Sequence, residues 1–222
     1  MKWRQYAFPA AVLGIAAIAG LVVLIANSGG GDGGKKAGGN ACEDVSAPKP
    51  KNVSERKPTF TLERSKTYLA TVETSCGTFV IKLDPKDAPK TGGSFVTLAR
   101  DGFYDGLGFH RIAPGFVIQG GDPAGNGSGG PGYKIREPPP KAVVYSEGTV
   151  AMAKGGNEPA GTSGSQFFVV TGNNANLPPD YALLGQVTKG LDVVHRIEDL
   201  ASTSDGPPKK PVVMSKVSIS ES

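Results

Sequence analysis

The sequence predicts a mainly β fold, a closed antiparallel barrel with two α-helices, that follows an apolar N-terminal segment. Short strand-like runs bounded by turn residues succeed one another from residue 68 to residue 219, whereas only two stretches show helical spacing. Many antiparallel strands in one domain remove their exposed edges when the sheet closes on itself. A third observation concerns the N-terminal segment, because residues 7–26 contain no charged side chain.

Residues 7–27 are predicted to form a transmembrane anchor after a short cytoplasmic tail of residues 1–6. A helix formed by residues 7–26 would rise about 30 Å, the thickness of the hydrocarbon core of a bilayer. The tail carries two basic and two aromatic residues (Lys2, Arg4, Trp3 and Tyr6), which favours a single-pass protein with its domain on the extracytoplasmic face of the cell membrane. The alternative is a cleaved signal peptide, which would have a shorter apolar stretch and a small-residue cleavage site.

Residues 28–64 are predicted to be a flexible linker to a domain that covers residues 65–222. Its first part is rich in glycine, and its second part carries Pro48, Pro50 and Pro58 among Lys and Ser residues. This composition offers too little apolar surface to fold. A coil of this length has a root-mean-square reach of roughly 30–35 Å, so the domain would stay near the membrane.

The cysteine content and the net charge argue against several classes of site. Cys42 lies in the predicted linker and Cys76 in a predicted turn, and they are either unrelated free thiols or a disulfide formed outside the cytosol. The chain has no CxxC pattern and no Cys/His cluster, so no metal site and no cofactor are expected. The net charge of +4 comes from scattered basic residues, which argues against nucleic-acid binding.

The elements of the domain follow in order. Strands at 68–73 and 79–83 are joined by a turn, and a helix begins near Pro89, which suits a first helical turn. Phe95, Leu98 and Ala99 form the apolar face of this helix, although the glycines at 92 and 93 weaken the prediction. The remaining elements are strands at 109–112, 116–119, 149–153, 166–171 and 182–187, an amphipathic helix within 188–201, and a last strand at 213–219.

Two of these strand-forming runs carry polar and aromatic residues together. The first run brings Arg111, Phe116 and Gln119 close in sequence, and the second places Gln166 and Phe168 on one strand face. Each run therefore offers an amide and a phenylalanine, and one adds an arginine. Such a surface suits a ligand that is partly apolar and rich in carbonyl groups, such as a peptide.

The same runs resemble the cyclophilin-type peptidyl-prolyl isomerases, in particular a bacterial membrane-anchored form. The residues that carry the resemblance are Phe109-His110-Arg111-Ile112 through Pro114-Gly115-Phe116, then Gln119-Gly120-Gly121-Asp122, and Gly164-Ser165-Gln166-Phe167-Phe168. The similarity covers residues 67–220. It implies an eight-stranded closed barrel capped by two helices, and an enzyme that rotates X–Pro bonds and so assists protein folding.

The chemistry of that reaction requires no nucleophile, general base or metal. Rotation about the amide has a barrier of about 18–20 kcal/mol, and no bond is broken. A cation that donates a hydrogen bond to the prolyl nitrogen stabilises the twisted form, in which this nitrogen is pyramidal and basic. Arg111 is the candidate, because a guanidinium stays charged even when it is partly buried.

The resemblance also implies roles for individual residues. It maps the catalytic site to Arg111, Phe116 and Gln119, and substrate binding to a further set (Val117, Ala153, Lys154, Gly155, Gln166, Phe168, Leu177 and Tyr181). Within these sets, a slot for the proline ring is expected from Phe116, Val117, Phe168 and Leu177, with Tyr181 as a wall, and residues 153–155 match the family's backbone-binding segment. Lys154 stands where the family usually has Asn, Asn176 where its best-known members have Trp, and Tyr181 where they have His. Catalysis is expected to survive these changes, whereas cyclosporin binding is expected to be weak.

The two histidines are expected to lie outside the catalytic site. Strand alternation points His110 to the face opposite Arg111, so it is interpreted as structural, and His195 is expected on the surface of the second helix.

The expected partners are proline-containing polypeptides, and the domain is expected to be monomeric. The alternative is a proline-peptide-binding chaperone or scaffold with little turnover, which Lys154 and Asn176 would favour.

Overall fold

The computed structural model describes residues 41–222. The predicted tail, the predicted anchor and the first part of the predicted linker lie outside the described residues. In the part that is described, none of the helices combines the length and the apolar character needed to cross a membrane. The elements in chain order are β1 (Tyr68–Thr74), β2 (Gly77–Leu83), α1 (Pro89–Arg100), β3 (Phe109–Ala113), β4 (Val117–Gly120), β5 (Ile135–Arg136), β6 (Thr149–Met152), β7 (Thr162–Ser163), β8 (Phe167–Val170), β9 (Leu183–Lys189), α2 (Leu191–Glu198) and β10 (Met214–Glu221).

The predicted elements are present, with bounds that shift by a few residues. Alternation in the outer strands explains why they form: Tyr68, Ala70 and Val72 of β1 are buried, as are Phe79, Ile81 and Leu83 of β2, and their neighbours point outward. The sequence did not reveal β5 and β7, which pair with each other in a small separate sheet. Each is two residues long, too short to show a period.

Eight strands form one antiparallel sheet in the order β10-β1-β2-β9-β6-β8-β4-β3. The prediction of a closed barrel is wrong, because β3 and β10 are the two edges of a half-barrel sheet. The segments before these strands meet at an isolated bridge between Gly108 and Val213. The open edge of β3 is occupied instead by Gly206, which exchanges two backbone hydrogen bonds, of 2.7 and 3.1 Å, with Ile112 of β3. The loop of residues 202–208 thus lies where a closing strand would pair.

The main core lies between one face of this sheet and the two helices. Phe95 of α1 packs its ring 4.8 Å from that of Tyr104 and 5.9 Å from that of Phe167, measured between centroids. Val194 and Ile197 of α2 are fully buried in the same cluster. The helices α1 and α2 thereby cover the sheet, and the opposite side of β4 and β8 remains available for a second cluster.

The second half of the predicted linker is packed against the domain. Residues 42–62, here called the strap, form no helix or strand but donate backbone hydrogen bonds to the domain at four points. These bonds run from Glu43 to Ser75, Lys51 to Pro123, Glu55 to Pro131 and Leu62 to Pro89, over 2.7–2.9 Å. Cys42 and Leu62 are buried, and Cys42 is joined to Cys76 by a disulfide. A flexible coil therefore does not describe these residues.

Candidate active site

Arg111 lies on β3 directly opposite Gln119 on β4. Its Nε and Nη2 donate to the two carboxylate oxygens of Asp205 over 2.7 and 2.8 Å, and its Nη1 donates to Oε1 of Gln119 over 3.1 Å. The guanidinium carbon lies 6.0 Å from the centroid of the Phe116 ring. The side chain is 28% exposed, so Arg111 is a half-buried cation beside an aromatic ring.

The amides of Gln119 and Gln166 continue this hydrogen-bonded row. Because an arginine only donates, the atom of Gln119 that faces it is the oxygen, and Nε2 of Gln119 then donates to Oε1 of Gln166 over 3.0 Å. Nε2 of Gln166 donates in turn to the backbone oxygens of Gly127 and Gly129, over 3.0 and 2.8 Å. The glycine-rich loop, two amides and the guanidinium are therefore connected.

His110 joins the same row, contrary to the alternation argument. The pairing of β3 with β4 shifts register between Phe109 and Arg111, and such a bulge redirects the side chains next to it. Nε2 of His110 consequently lies 3.5 Å from Nε2 of Gln119. Burial lowers the pKa of His110; the charge of Asp122 opposes this effect and the charge of Arg111 reinforces it. The lowered pKa favours the neutral ring, and because the amide nitrogen of Gln119 only donates, Nε2 of His110 is the acceptor in this contact.

The predicted proline slot forms a hydrophobic cluster separate from the main core. Val117 and Phe168 are buried in it, and Phe116, Leu177 and Tyr181 pack against it with part of each side chain exposed. The rings of Phe168 and Tyr181 meet edge to face, with centroids 5.5 Å apart. The structure thus brings together every residue that the sequence assigned to this slot.

Tyr145 is a residue of this cluster that the sequence analysis missed. It is buried, and its hydroxyl donates to the backbone oxygen of Tyr181 over 2.6 Å and accepts from the Tyr181 backbone N–H over 3.1 Å. Burial raises the pKa of Tyr145 to about 12, so the hydroxyl keeps its proton. Tyr145 holds the segment that carries the Tyr181 ring, and its position just before β6 showed no motif in the sequence.

The predicted backbone-binding segment is engaged in bonds of its own. The N–H of Ala153 donates to the backbone oxygen of Gln166 over 2.9 Å, and the N–H of Gly155 donates to the carboxylate of Glu158 over 2.6 Å. Nζ of Lys154 lies 5.5 Å from the centroid of the Tyr181 ring and donates to the backbone oxygen of Glu158 over 3.1 Å. A substrate that reaches this segment would meet carbonyl oxygens rather than these two N–H groups.

Asp205 is the second residue of the site that the sequence analysis missed. It is 94 residues from Arg111 in sequence and lies outside the motif runs, so neither spacing nor resemblance indicated it. Within residues 41–222, the structure shows no group of three or more His, Cys, Asp or Glu side chains that is placed to hold a metal ion.

Comparison with known proteins places this geometry in a family. Residues 69–219 match the family described as cyclophilin type peptidyl-prolyl cis-trans isomerase/CLD. A peptidyl-prolyl cis-trans isomerase of Helicobacter pylori is 41% identical over 139 residues, covering 61% of this chain and 83% of the relative. Peptidyl-prolyl cis-trans isomerase A of Mycobacterium tuberculosis is 37% identical over 172 residues, covering 69% of this chain and 93% of the relative.

Solved structures agree with the sequence comparison. A cyclophilin-type isomerase of Cryptosporidium parvum superposes with a TM-score of 0.64 at 28% identity, covering 69% of this chain and 98% of that one. A structure of the same protein in the presence of the dipeptide Ala-Pro gives a TM-score of 0.63 at 29% identity, covering 68% of this chain and 98% of that one. The resemblance noted in the sequence is thus confirmed at the level of the family. The chain belongs to the cyclophilin-type peptidyl-prolyl cis-trans isomerases, and it is an enzyme that rotates X–Pro peptide bonds.

Proposed function

We propose that Arg111 is the group that lowers the rotation barrier in this isomerase, acting on a proline held in the slot beside it. The observation that carries the proposal is the position of the guanidinium, half-buried and 6.0 Å from the ring of Phe116. Phe116, Val117 and Phe168 provide the apolar contact for the pyrrolidine ring, and Leu177 and Tyr181 complete it. The catalytic cation and the proline-binding surface are therefore adjacent.

The number of N–H donors on Arg111 explains how it can bind the twisted amide. A guanidinium has five N–H donors, and its bonds to Asp205 and Gln119 use three of them, so two donors remain beyond these bonds. The planar prolyl nitrogen shares its lone pair with the carbonyl and accepts poorly, whereas the twisted nitrogen is pyramidal and accepts well. The hydrogen bond thus forms in the transition state and not in the ground state, which is the condition for raising kcat.

The proposed substrates are proline-containing polypeptides. The solved relative in the presence of Ala-Pro supports this class of ligand. Both N–H donors of Gln166 are directed at the loop oxygens of Gly127 and Gly129, so we assign Gln166 to holding the loop and Gln119. Gln119 in turn accepts a hydrogen bond from Nη1 of Arg111, and the substrate backbone contacts this row through the remaining acceptor positions.

The experiment is cis/trans exchange of a short X–Pro peptide, measured by NMR exchange spectroscopy with the protein at catalytic concentration. Arg111→Ala is expected to lower kcat/KM about 100-fold, as expected when a preorganised donor to the transition state is removed. Arg100→Ala is the matched control, because Arg100 also pairs with a carboxylate, that of Glu221, but lies on α1. Equal rates for the wild type and Arg111→Ala would disprove the role. Tight peptide binding by a wild-type protein that gives no rate enhancement would instead indicate the peptide-binding module.

The proposed location is the cell membrane, with one span at residues 7–27 and the domain on the extracytoplasmic face. The uncharged sequence of residues 7–26 supports the span. The disulfide between Cys42 and Cys76 supports the outer face, because disulfides persist in oxidising compartments. Carbonate extraction of membranes, followed by protease treatment of intact cells, tests both parts. Release by carbonate would disprove the anchor, and protection from the protease would disprove the orientation.

We also keep two finer expectations as proposals. Cyclosporin is expected to inhibit weakly, because an exposed Asn176 and a half-buried Tyr181 replace the aromatic residues of the family's best-known members. Inhibition of the exchange reaction by cyclosporin measures this directly. The protein without its anchor is expected to be monomeric, which light scattering tests.

A further inference from the structure

Asp205 is the strongest contact of Arg111. The two carboxylate oxygens of Asp205 accept from Nε and Nη2 of Arg111 over 2.7 and 2.8 Å, in the parallel two-bond arrangement that fixes the plane of a guanidinium. Gln119 holds the same group through a single bond to Nη1. One hydrogen bond leaves the guanidinium free to rotate about it. The two hydrogen bonds to Asp205 therefore fix the orientation of the guanidinium.

The loop that carries Asp205 is itself held against β3. Gly206 exchanges backbone hydrogen bonds with Ile112, the residue after Arg111, over 2.7 and 3.1 Å. Ser202 closes the loop by donating from Oγ to the backbone oxygen of Pro207 over 2.5 Å. The carboxylate therefore has a defined position relative to Arg111.

We propose that Asp205 is a positioning residue of the isomerase reaction. Its carboxylate anchors the Nε–Nη2 edge of Arg111, and the donors outside the three bonds are thereby presented to the proline slot. This rests on the role proposed above for Arg111. The side chain of Asp205 hydrogen-bonds to the guanidinium, and in this proposal it acts on the reaction through Arg111.

Whether removing Asp205 slows or speeds the reaction depends on the kind of contact that Arg111 makes with the substrate. A carboxylate beside the guanidinium reduces the field of the cation, which by itself would slow the reaction. Asp205 is 53% exposed, so water screens much of this effect. The contact with the prolyl nitrogen is a directed hydrogen bond, and a misplacement of about 1 Å in such a contact is enough to lower a rate substantially. Orientation therefore outweighs charge, and removing Asp205 slows the enzyme.

Because Asp205 is exposed, its effect on the reaction rate can be measured separately from its effect on stability. Ion pairs at the protein surface contribute little to stability, so loss of this pair is expected to lower Tm by at most about 4 °C. A loss of rate without a matching loss of Tm would thus report on the position of Arg111. If Asp205 had only a structural role, its removal would lower Tm without lowering kcat at a constant KM.

The test is a double-mutant cycle in the full chain with the wild type, Asp205→Ala, Arg111→Ala and the double variant. The readouts are kcat and KM for an X–Pro peptide, and Tm. Asp205→Ala is expected to lower kcat about ten-fold, or about 1.4 kcal/mol in the barrier, with KM nearly unchanged, because the lost contact exists only in the transition state. In the Arg111→Ala background, Asp205→Ala is expected to have no further effect.

Conservative variants and a control sharpen the result. Asp205→Glu keeps the carboxylate and is expected to recover part of the rate. Asp205→Asn keeps the size but turns an N–H donor toward a guanidinium donor, so it is expected to resemble Asp205→Ala. The matched control is Asp192→Ala, which removes the carboxylate paired with Arg196 on α2, and it is expected to leave kcat unchanged.

Each outcome of the cycle assigns the failure to one claim. A wild-type rate for Asp205→Ala, beside a slow Arg111→Ala, would overturn the inference and leave the role of Arg111 standing. An equal loss from Asp205→Ala in both backgrounds would also overturn it, since the residue would then act on the fold. A wild-type rate for Arg111→Ala would remove the proposed function on which the inference rests.

Discussion

Nε2 of Gln119 donates to Oε1 of Gln166 over 3.0 Å, and this one bond joins the arginine side of the site to its glycine-rich side. Gln119 accepts from Arg111, and Gln166 donates to Gly127 and Gly129. Each amide therefore has its oxygen and its nitrogen assigned by its neighbours. The hydrogen bond between Gln119 and Arg111 therefore depends on a loop that does not contact Arg111.

We expect Gln166→Met to lower kcat/KM about five- to thirty-fold, or about 1–2 kcal/mol. The methionine fills a similar volume but neither accepts from Gln119 nor donates to the loop, so both lose their fixed positions. NMR exchange of an X–Pro peptide measures the effect. Gln186→Met is the control, because Nε2 of Gln186 likewise donates to a backbone oxygen, that of Glu147 over 2.8 Å, outside the site. Equal losses in the two variants would contradict the prediction.

Removing the disulfide is expected to lower the free energy of unfolding without lowering the isomerase rate. The bond joins residues 34 apart in sequence, and closing a loop of this length contributes up to about 4 kcal/mol on the chain-entropy account. Urea unfolding of Cys42→Ala/Cys76→Ala measures the loss. A thiol reductant should bring the wild type to the midpoint of this variant and leave the variant itself unchanged. If the wild type and the double variant had the same urea midpoint before reduction, the strap would be held by its other contacts alone.

Gly93→Ala is expected to destabilise the protein, although alanine favours a helix over glycine by about 1 kcal/mol. The strap crosses α1 at this point, and a Cβ on Gly93 would overlap the backbone oxygen of Phe60. We expect a net loss of about 1–3 kcal/mol from overpacking, measured by urea unfolding. Gly156→Ala is the control, because a Cβ there meets nothing within 4 Å. A gain in stability for Gly93→Ala would show that the strap does not rest on α1.

His195 connects three parts of the domain. Its Nδ1 lies 3.0 Å from a carboxylate oxygen of Glu198, and its Nε2 lies 3.0 Å from one of Glu147. The other oxygen of Glu198 accepts from the N–H of Gly115, in the turn that precedes Phe116. The hydrogen bond with Glu198, and then the one with Glu147, raise the pKa of His195. The folded protein therefore binds this proton more tightly than the unfolded chain does.

The consequence is a pH-dependent contribution to stability. A histidine with a raised folded pKa stabilises fully below its unfolded pKa of about 6.5, and the contribution is lost as the pH rises through the folded pKa. We expect the difference in Tm between the wild type and His195→Gln to shrink as the pH rises from about 6 to 8. The effect is expected to be small, because the side chain is 38% exposed and water screens its charge. A difference that stays constant with pH would contradict the prediction.

The sequence by itself predicted the eight strands of the main sheet, both helices and most of the residues that meet at the candidate site. Alternation in β1 and β2 follows from which side chains bury against the core, and this period is visible in any short window. Arg111, Phe116, Gln119, Gln166 and Phe168 were recognised from two short runs and then found together on neighbouring strands. Local periodicity and compact motifs carry this information because each involves only a few consecutive residues.

The tertiary structure alone decided how these residues are held. The bulge that turns His110 toward Gln119, the strap that lies over Gly93, and the carboxylate of Asp205 on Arg111 each depend on segments distant in sequence. The open edge of β3 has the same origin, since Gly206 pairs there from a loop after α2. Such contacts have no period and no fixed spacing, because they arise only when packing of the core brings separate segments together.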